Sequence, residues 1–322
     1  MNRLGAIALV FAGLLFACAI RTPSPEAFEF AVLGDTPYSD AEERHFLAMM
    51  KRIDAEPLAF AVHVGDFKSG SDSPCSDALF ERRRAQFDAS AHPFIYTPGD
   101  NEWTDCRRKS SGAMSPIERL ARLRQVFFAE PWSLGATRIA TEMQVGCVER
   151  GVNACTCPAL PENRLWTRAG VRFVTLNIPG SDNNVGYDAA NDEEARCRNE
   201  ANRRWLERAV SECEREQAPA LVILIQANPW LSEKPVYQDF IAQVEAAARR
   251  LRPRPVLFVH GDTHTFRIDT PFVDAAGEPI ANLTRLETYG SPAVGWVRVS
   301  VDPQDPQVFR MRGFLEAIVL PH

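Results

Sequence analysis

The 322-residue sequence predicts an α/β fold in which a sheet is covered on both faces by helices. Three observations carry that prediction. Short, continuous apolar runs recur along the chain, as strands buried on both faces require. Stretches with apolar residues at helical spacing lie between them. Four of the apolar runs end on a Gly-Asp pair, whereas 18 Gly and 18 Asp placed at random in 322 residues give about one.

The elements follow in order. Residues 28–33 (Phe-Glu-Phe-Ala-Val-Leu) read as a strand ending at Gly34-Asp35, and 40–54 as a helix. The run 58–64 is a second strand, ending at Gly65-Asp66, and 76–90 is a helix charged on one side. Phe94-Ile95-Tyr96-Thr97 is a third strand, ending at Pro98-Gly99-Asp100. A helix around 116–128 places Ile117, Leu120, Leu123 and Phe127 on one face. Residues 131–165 lack periodicity, hold three cysteines and read as a stapled insertion loop. The pattern then resumes with a strand at 171–176, a long charged helix at 191–216, and a strand at 220–225 that reaches Gln226-Ala227-Asn228-Pro229-Trp230. A helix at 236–251 and a strand at 255–259 lead into His260-Gly261-Asp262-Thr263-His264. The tail from about 283 to 319 reads as short strands and turns.

Composition narrows the function. A net charge of −6 argues against general nucleic-acid affinity, which needs clustered positive charge. At the N-terminus, Arg3 precedes an uncharged run from Leu4 to Ile20, the pattern of a secretory signal over residues 1–19. Ala17-Cys18-Ala19 suits ordinary signal peptidase. Leu15-Phe16-Ala17-Cys18 also resembles a lipobox, in which case Cys18 would carry lipid and tether the protein to a membrane. The expected location is therefore outside the cytoplasm: the periplasm of a bacterium, as a soluble protein or a membrane-anchored lipoprotein, or otherwise secreted. Eight cysteines fit an oxidising compartment. Without Cys18, seven remain, so at least one stays unpaired or pairs between chains. Cys75 and Cys106 each follow a Gly-Asp turn and form a candidate disulfide. Cys197 and Cys213 lie sixteen residues apart on one predicted helix, about 24 Å, too far to bridge. Cys155 and Cys157 have no second matched pair, so disulfide pairing is preferred to zinc.

In sheets of this kind ligands bind beyond the carboxyl ends of the strands, which is where the four Gly-Asp turns fall. One such turn is ordinary turn chemistry; four at strand ends form a pattern. Convergent carboxylates repel unless a cation lies among them, and a divalent metal is the simplest solution. Two ions would activate a water and stabilise an in-line displacement at phosphorus.

With Gly34-Asp35, Gly65-Asp66, Gly99-Asp100-Asn101-Glu102 and Gly261-Asp262-Thr263-His264 in this order, the sequence resembles the calcineurin-like metallophosphoesterase family. Leu176-Asn177-Ile178-Pro179-Gly180-Ser181, Trp205-Leu206 and Asn228-Pro229-Trp230 also fall where that family would place them. The resemblance spans roughly 28–302 and implies a β-sandwich flanked by α-helices over 28–319, here with the cysteine-rich insertion at about 131–165. It implies that Asp35 and His264 hold a first metal, that Asp66 bridges two, and that Asp100 and Asp262 hold the second. Several family histidines are missing. Pro37 stands at one such place, with Tyr38 next to it as either a phenolate donor or a structural ring. Asn101 aligns with the histidine that protonates the leaving group. A shift of one residue would instead make Asn101 a metal ligand and Glu102 the proton donor. Ala227 stands at the place of a histidine ligand, flanked by Gln226 and Asn228, with Asn228 a candidate metal ligand. His260 is a further candidate acid, or a core residue. Oxygen-rich ligation favours Mn²⁺, Mg²⁺ or Ca²⁺ over zinc, with iron admissible.

The implied activity is hydrolysis of a small-molecule or lipid-linked phosphate ester by a metal-bound hydroxide. The competing readings are a catalytically inactive metal-binding or surface protein on the same fold, and a metal hydrolase for another ester. Bland and functional readings coexist for several further residues. Lys68 is a phosphate contact or a solvated lysine, and Trp103 and Trp230 are a pocket floor or core. His63 reads as core, His92 as a strand start, and Arg107-Arg108-Lys109 as an anion-attracting or simply solvated face.

Overall fold

A computed structural model describes residues 26–146, 159–231, 235–274 and 276–320. The expected signal sequence with Cys18, and Cys147, Cys155 and Cys157, lie outside the described residues.

Two sheets stack face to face. The first has the order β12–β11–β1–β2–β3, built from β1 (Phe28–Leu33), β2 (Phe60–His63), β3 (Phe94–Tyr96), β11 (Ala293–Val301) and β12 (Phe309–Ile318). The second has the order β4–β5–β6–β7–β8–β10–β9. Its members are β4 (Glu142–Gln144), β5 (Leu160–Arg168), β6 (Val171–Thr175), β7 (Leu221–Leu224), β8 (Val256–His260), β9 (Arg267–Asp269) and β10 (Leu283–Glu287). β1, β2 and β3 run parallel, as do β6, β7, β8 and β10, so each sheet has one edge where strand ends point the same way.

The strands are apolar throughout because both faces are covered. Phe30, Val32, Val222, Leu224, Leu257 and Val259 point into the core between the sheets. Their neighbours Ala31 and Leu33 point outward, under α1 (Asp40–Asp54), α2 (Asp77–Asp88) and α3 (Pro116–Phe127). On the opposite side Leu221, Ile223, Val256 and Phe258 pack under α5 (Ala189–Glu216) and α6 (Gln238–Leu251). Each fully buried Leu, Val or Phe contributes about 1.5–3 kcal/mol, which makes register along these strands strongly specified. Helix starts are read locally: Ser39, Ser76, Ser115 and Asp188 accept hydrogen bonds from main-chain N–H groups of the first turn. Between β6 and α5 lies α4 (Gly180–Asn183), a single turn with left-handed residues inside it.

Two expectations need correction. The stretch 131–165 is not all loop: it holds β4 and the first half of β5, which pair antiparallel at the sheet edge. Periodicity missed them because β5 carries Glu162, Asn163 and Arg164 buried by polar partners rather than by apolar contact. The tail is not a set of short strands. β11 and β12 form a hairpin of nine and ten residues, and β11 pairs with β1, the first strand of the chain. Cys75 and Cys106 form a disulfide with 5.7 Å between Cα atoms, while Cys197 and Cys213 do not bridge one another. Among the described residues no helix is long and apolar enough to cross a membrane.

Candidate metal centre

The four Gly-Asp turns meet at the seam between the sheets. β1, β2 and β3 deliver Asp35, Asp66 and Asp100 from one sheet, and β8 delivers Asp262 and His264 from the other. Asp35, Asp66, Asp262 and His264 all have left-handed backbone, at φ 51°, 59°, 78° and 60°. Such angles are uncommon outside glycine and are better tolerated by Asp and His than by most residues. The glycines before them do more than ease a turn. A Cβ on Gly99 would lie 2.1 Å from Asp66 Oδ1, and one on Gly261 would lie 2.1 Å from Asp35 Oδ2. Each glycine leaves room for the carboxylate of a different turn.

Hydrogen bonds lock the turns together. The Asp262 N–H donates to Asp35 Oδ1 (2.9 Å), the Asn101 N–H to Asp66 Oδ1 (3.0 Å), and the Asn228 N–H to Asp262 Oδ2 (2.7 Å). Gln226 bridges the sheets: its amide donates to Asp66 Oδ2 (3.1 Å) and its carbonyl accepts from the Gly180 N–H (2.6 Å). His264 Nδ1 lies 2.6 Å from the Ser291 carbonyl, which can only accept, so Nδ1 carries the proton. Its Nε2 lone pair therefore faces the cleft, 3.2 Å from the Tyr38 hydroxyl and 3.7 Å from Asp35 Oδ1. The Tyr38 hydroxyl is also 3.3 Å from Asp66 Oδ2 and accepts from the Asn101 amide at 2.9 Å.

The candidate proton donors are placed elsewhere. Glu102 is fully buried behind Asp66, where its carboxylate accepts from the Asp66 N–H (2.9 Å), the Gly99 N–H (3.0 Å) and the Tyr96 hydroxyl (2.7 Å). It ties β3 to the second turn. His260 is also fully buried, with Nδ1 on the Gly261 carbonyl (2.7 Å) and Nε2 4.0 Å from Glu287. Burial pushes its pKa down to about 3. The Asn228 side chain turns to Thr263 Oγ1 (3.0 Å), while its main-chain N–H serves Asp262. Lys68 is not a solvated lysine: it is 1% exposed, and its ammonium donates to the carbonyls of Ser69 (2.5 Å) and Asn101 (2.8 Å). His63 and Trp103 are core, as is the greater part of Trp230, which packs on Phe258 and Phe272.

Two further participants appear: Ser181, read from the sequence only as the end of a supporting motif, and Asp105, not singled out there. Ser181 Oγ lies 2.8 Å from Asp100 Oδ2 and 2.7 Å from Asp105 Oδ1, and Asp105 pairs with Arg108 at 2.7 Å. Ser181 follows Pro179-Gly180 beyond β6, a strand-end position that could have flagged it. Asp105 has no such signal.

Electrostatically the cleft is acid-rich. Burial, followed by the Asp100 charge, raises Asp262 to about 8 and Asp105 to about 7. Burial and neighbouring carboxylates also raise Asp35 and Asp66, and burial raises Tyr38, which keeps its proton. Among the described residues no three His, Cys, Asp or Glu side chains stand as a ready-made ligand cage. The donor set nonetheless fits a hard divalent cation. Asp100 Oδ1 is buried without a hydrogen-bond partner. A Cβ on Gly180 would lie 2.6 Å from it and 2.8 Å from Asp262 Oδ1, so the two oxygens face the same small space.

Neither a family model nor a curated sequence matches this chain. Solved structures do. PhoD superposes with a TM-score of 0.55 at 15% identity, covering 88% of this chain and 64% of PhoD. GAP50, the anchor in the inner membrane complex of Plasmodium, gives 0.49 at 10% identity, covering 90% of this chain and 89% of its own. A dimetal phosphatase from Danio rerio gives 0.46 at 12% identity, covering 90% and 99%. The chain spans about two thirds of PhoD's length, and the likeness is one of fold. That fold is the metallophosphoesterase-like fold.

Proposed function

We propose that this chain is an exported, metal-dependent phosphoesterase that hydrolyses a small-molecule or lipid-linked phosphate ester. The observation that carries the reading is the pair of oxygens, Asp100 Oδ1 and Asp262 Oδ1, that face one space in a cleft crowded with carboxylates. Export is supported by the N-terminal apolar run and is compatible with the Cys75–Cys106 disulfide.

In this reading Asp35, Asp66, Asp100, Asp262 and His264 hold divalent metal, with Mn²⁺, Mg²⁺ or Ca²⁺ preferred to zinc because the donors are mainly oxygen. Bound metal supplies Lewis acidity toward the phosphoryl oxygens and lowers the pKa of water. The chain's own residues do the rest. Glu102 and Gln226 fix Asp66 from behind and from the side. The Ser291 carbonyl sets the His264 tautomer so that Nε2 faces the cleft. The Tyr38 hydroxyl keeps its proton and stands between Asp66 and His264, a place from which it can donate to a leaving oxygen.

A second reading, a metal-binding or surface protein without turnover, is favoured by one observation: Glu102 and His260, the expected acids, are both buried away from the cleft. One assay separates the two. The purified protein is tested on phosphomonoesters and phosphodiesters with Mn²⁺, Mg²⁺ or Ca²⁺, beside Asp66→Asn, with bound metal quantified. Metal-dependent turnover lost in the variant supports the enzyme. Bound metal without turnover supports the metal-binding form of the second reading, and no bound metal sinks the enzyme and leaves only a surface protein.

A further inference from the structure

The turn after β6 is strained in a way its neighbours are not. Ser181, Asp182, Asn183 and Asn184 are four consecutive non-glycine residues in left-handed backbone, at φ 48°, 54°, 57° and 64°. Each position costs free energy, and such geometry persists only where the surroundings over-determine it. Here they do. Arg198, fully buried on α5, donates to the Asn177 carbonyl (3.1 Å), to Asn183 Oδ1 (2.5 Å) and to the Asn183 carbonyl (2.9 Å), while Glu194 holds its other edge (2.8 Å). The Gly180 N–H is tied to Gln226, and the Pro179 carbonyl to the Tyr237 hydroxyl (2.7 Å).

The product of this arrangement is the position of one hydroxyl. Ser181 Oγ sits between Asp100 Oδ2 (2.8 Å) and Asp105 Oδ1 (2.7 Å); with its one proton given to Asp100 it accepts from a protonated Asp105, whose other oxygen pairs with Arg108. Asp100 is 6% exposed, and its other oxygen has no partner and faces Asp262. Glycine would adopt φ 48° without strain, yet a serine occupies the position.

We propose that Ser181 is a positioning residue. Its hydroxyl holds one oxygen of Asp100 so that the other is left as the single coordinating atom, and the left-handed turn serves to place that hydroxyl. The inference rests on the metal-binding reading above. Outer hydrogen bonds of this kind orient ligating carboxylates, and their loss typically weakens metal affinity about 10–100-fold.

Calorimetric titration of the metal-free protein with Mn²⁺, paired with thermal melting, tests this in wild type, Ser181→Gly and Ser181→Ala. Glycine relieves the backbone strain and alanine keeps it, but neither has a hydroxyl. Ser181→Gly is expected to melt above Ser181→Ala, with both losing at least tenfold in Mn²⁺ affinity. If Ser181→Gly binds Mn²⁺ like wild type, the turn matters only for folding and the proposal is overturned. If wild type itself binds no Mn²⁺, the metal-binding reading fails first and takes the proposal with it.

Discussion

The carboxylate cluster makes stability depend on pH in an unusual direction. In the unfolded chain Asp262 ionises near its ordinary value, about 3.9. In the fold, burial and the Asp100 charge hold its proton up to about 8. Between those values the folded chain binds a proton that the unfolded chain has released. Its contribution is intact below about pH 4 and is lost progressively as pH rises toward 8. The slope is at most about 1.4 kcal/mol per pH unit, giving a ceiling of about 4 kcal/mol between pH 5 and pH 8. Asp262 keeps some contact with solvent, so about 2–4 kcal/mol is the working figure. At roughly 2–4 °C per kcal/mol, the metal-free protein should melt on the order of 4–16 °C lower at pH 8 than at pH 5. The assay is thermal melting in chelator at both pH values, repeated with Mn²⁺ and with Asp262→Asn. Mn²⁺ should restore the pH 8 melting point, and Asp262→Asn should reduce the pH dependence, leaving the part that the raised Asp35, Asp66 and Asp105 contribute. A melting point in chelator that stays level or rises from pH 5 to pH 8 would refute the reasoning.

Three further outcomes are expected. Replacing both Cys75 and Cys106 by Ala opens a loop with sequence separation 31, which should cost about 3–4 kcal/mol in denaturant unfolding; an unchanged midpoint would show that the loop is held by packing alone. Glu102→Gln puts an amide among groups that all donate to it, so stability should fall by about 1–3 kcal/mol. Lost turnover at unchanged stability would instead reinstate Glu102 as the acid. Gly261→Ala drives a Cβ onto Asp35 Oδ2 and should cut Mn²⁺ affinity by more than tenfold, read by titration; near-normal affinity would mean that Asp35 is not a ligand.

The parts of this molecule that follow from local rules were legible in the sequence. α1 begins and ends at Asp40 and Asp54 as expected, because Ser39 caps it and apolar spacing fixes its buried face. The strand-end turns were legible because glycine and aspartate are adjacent in the chain. What the sequence hid depends on contacts distant in sequence. Gln226 reaches Asp66 across 160 positions, and Ser181 reaches Asp100 across 81. The local sequence marks both positions as strand ends but not the partner that each one finds. The roles of Glu102 and His260 were obscured for the opposite reason: a carboxylate or imidazole near a Gly-Asp turn reads as chemistry, and only burial and partners reveal a brace.

The seam between the sheets carries a consequence for how this protein acquires its site. Asp35, Asp66 and Asp100 come from the first third of the chain, while Gln226, Asp262 and His264 come from the last third. Asp262 finds Asp35 across 227 residues. Neither half alone presents a complete donor set, so a partly folded or truncated chain has nowhere to hold an ion tightly. If the site holds a cation, as proposed, its capture would act as a checkpoint on finished folding: it would come after docking of the two layers and would stabilise only chains that have brought both ends together.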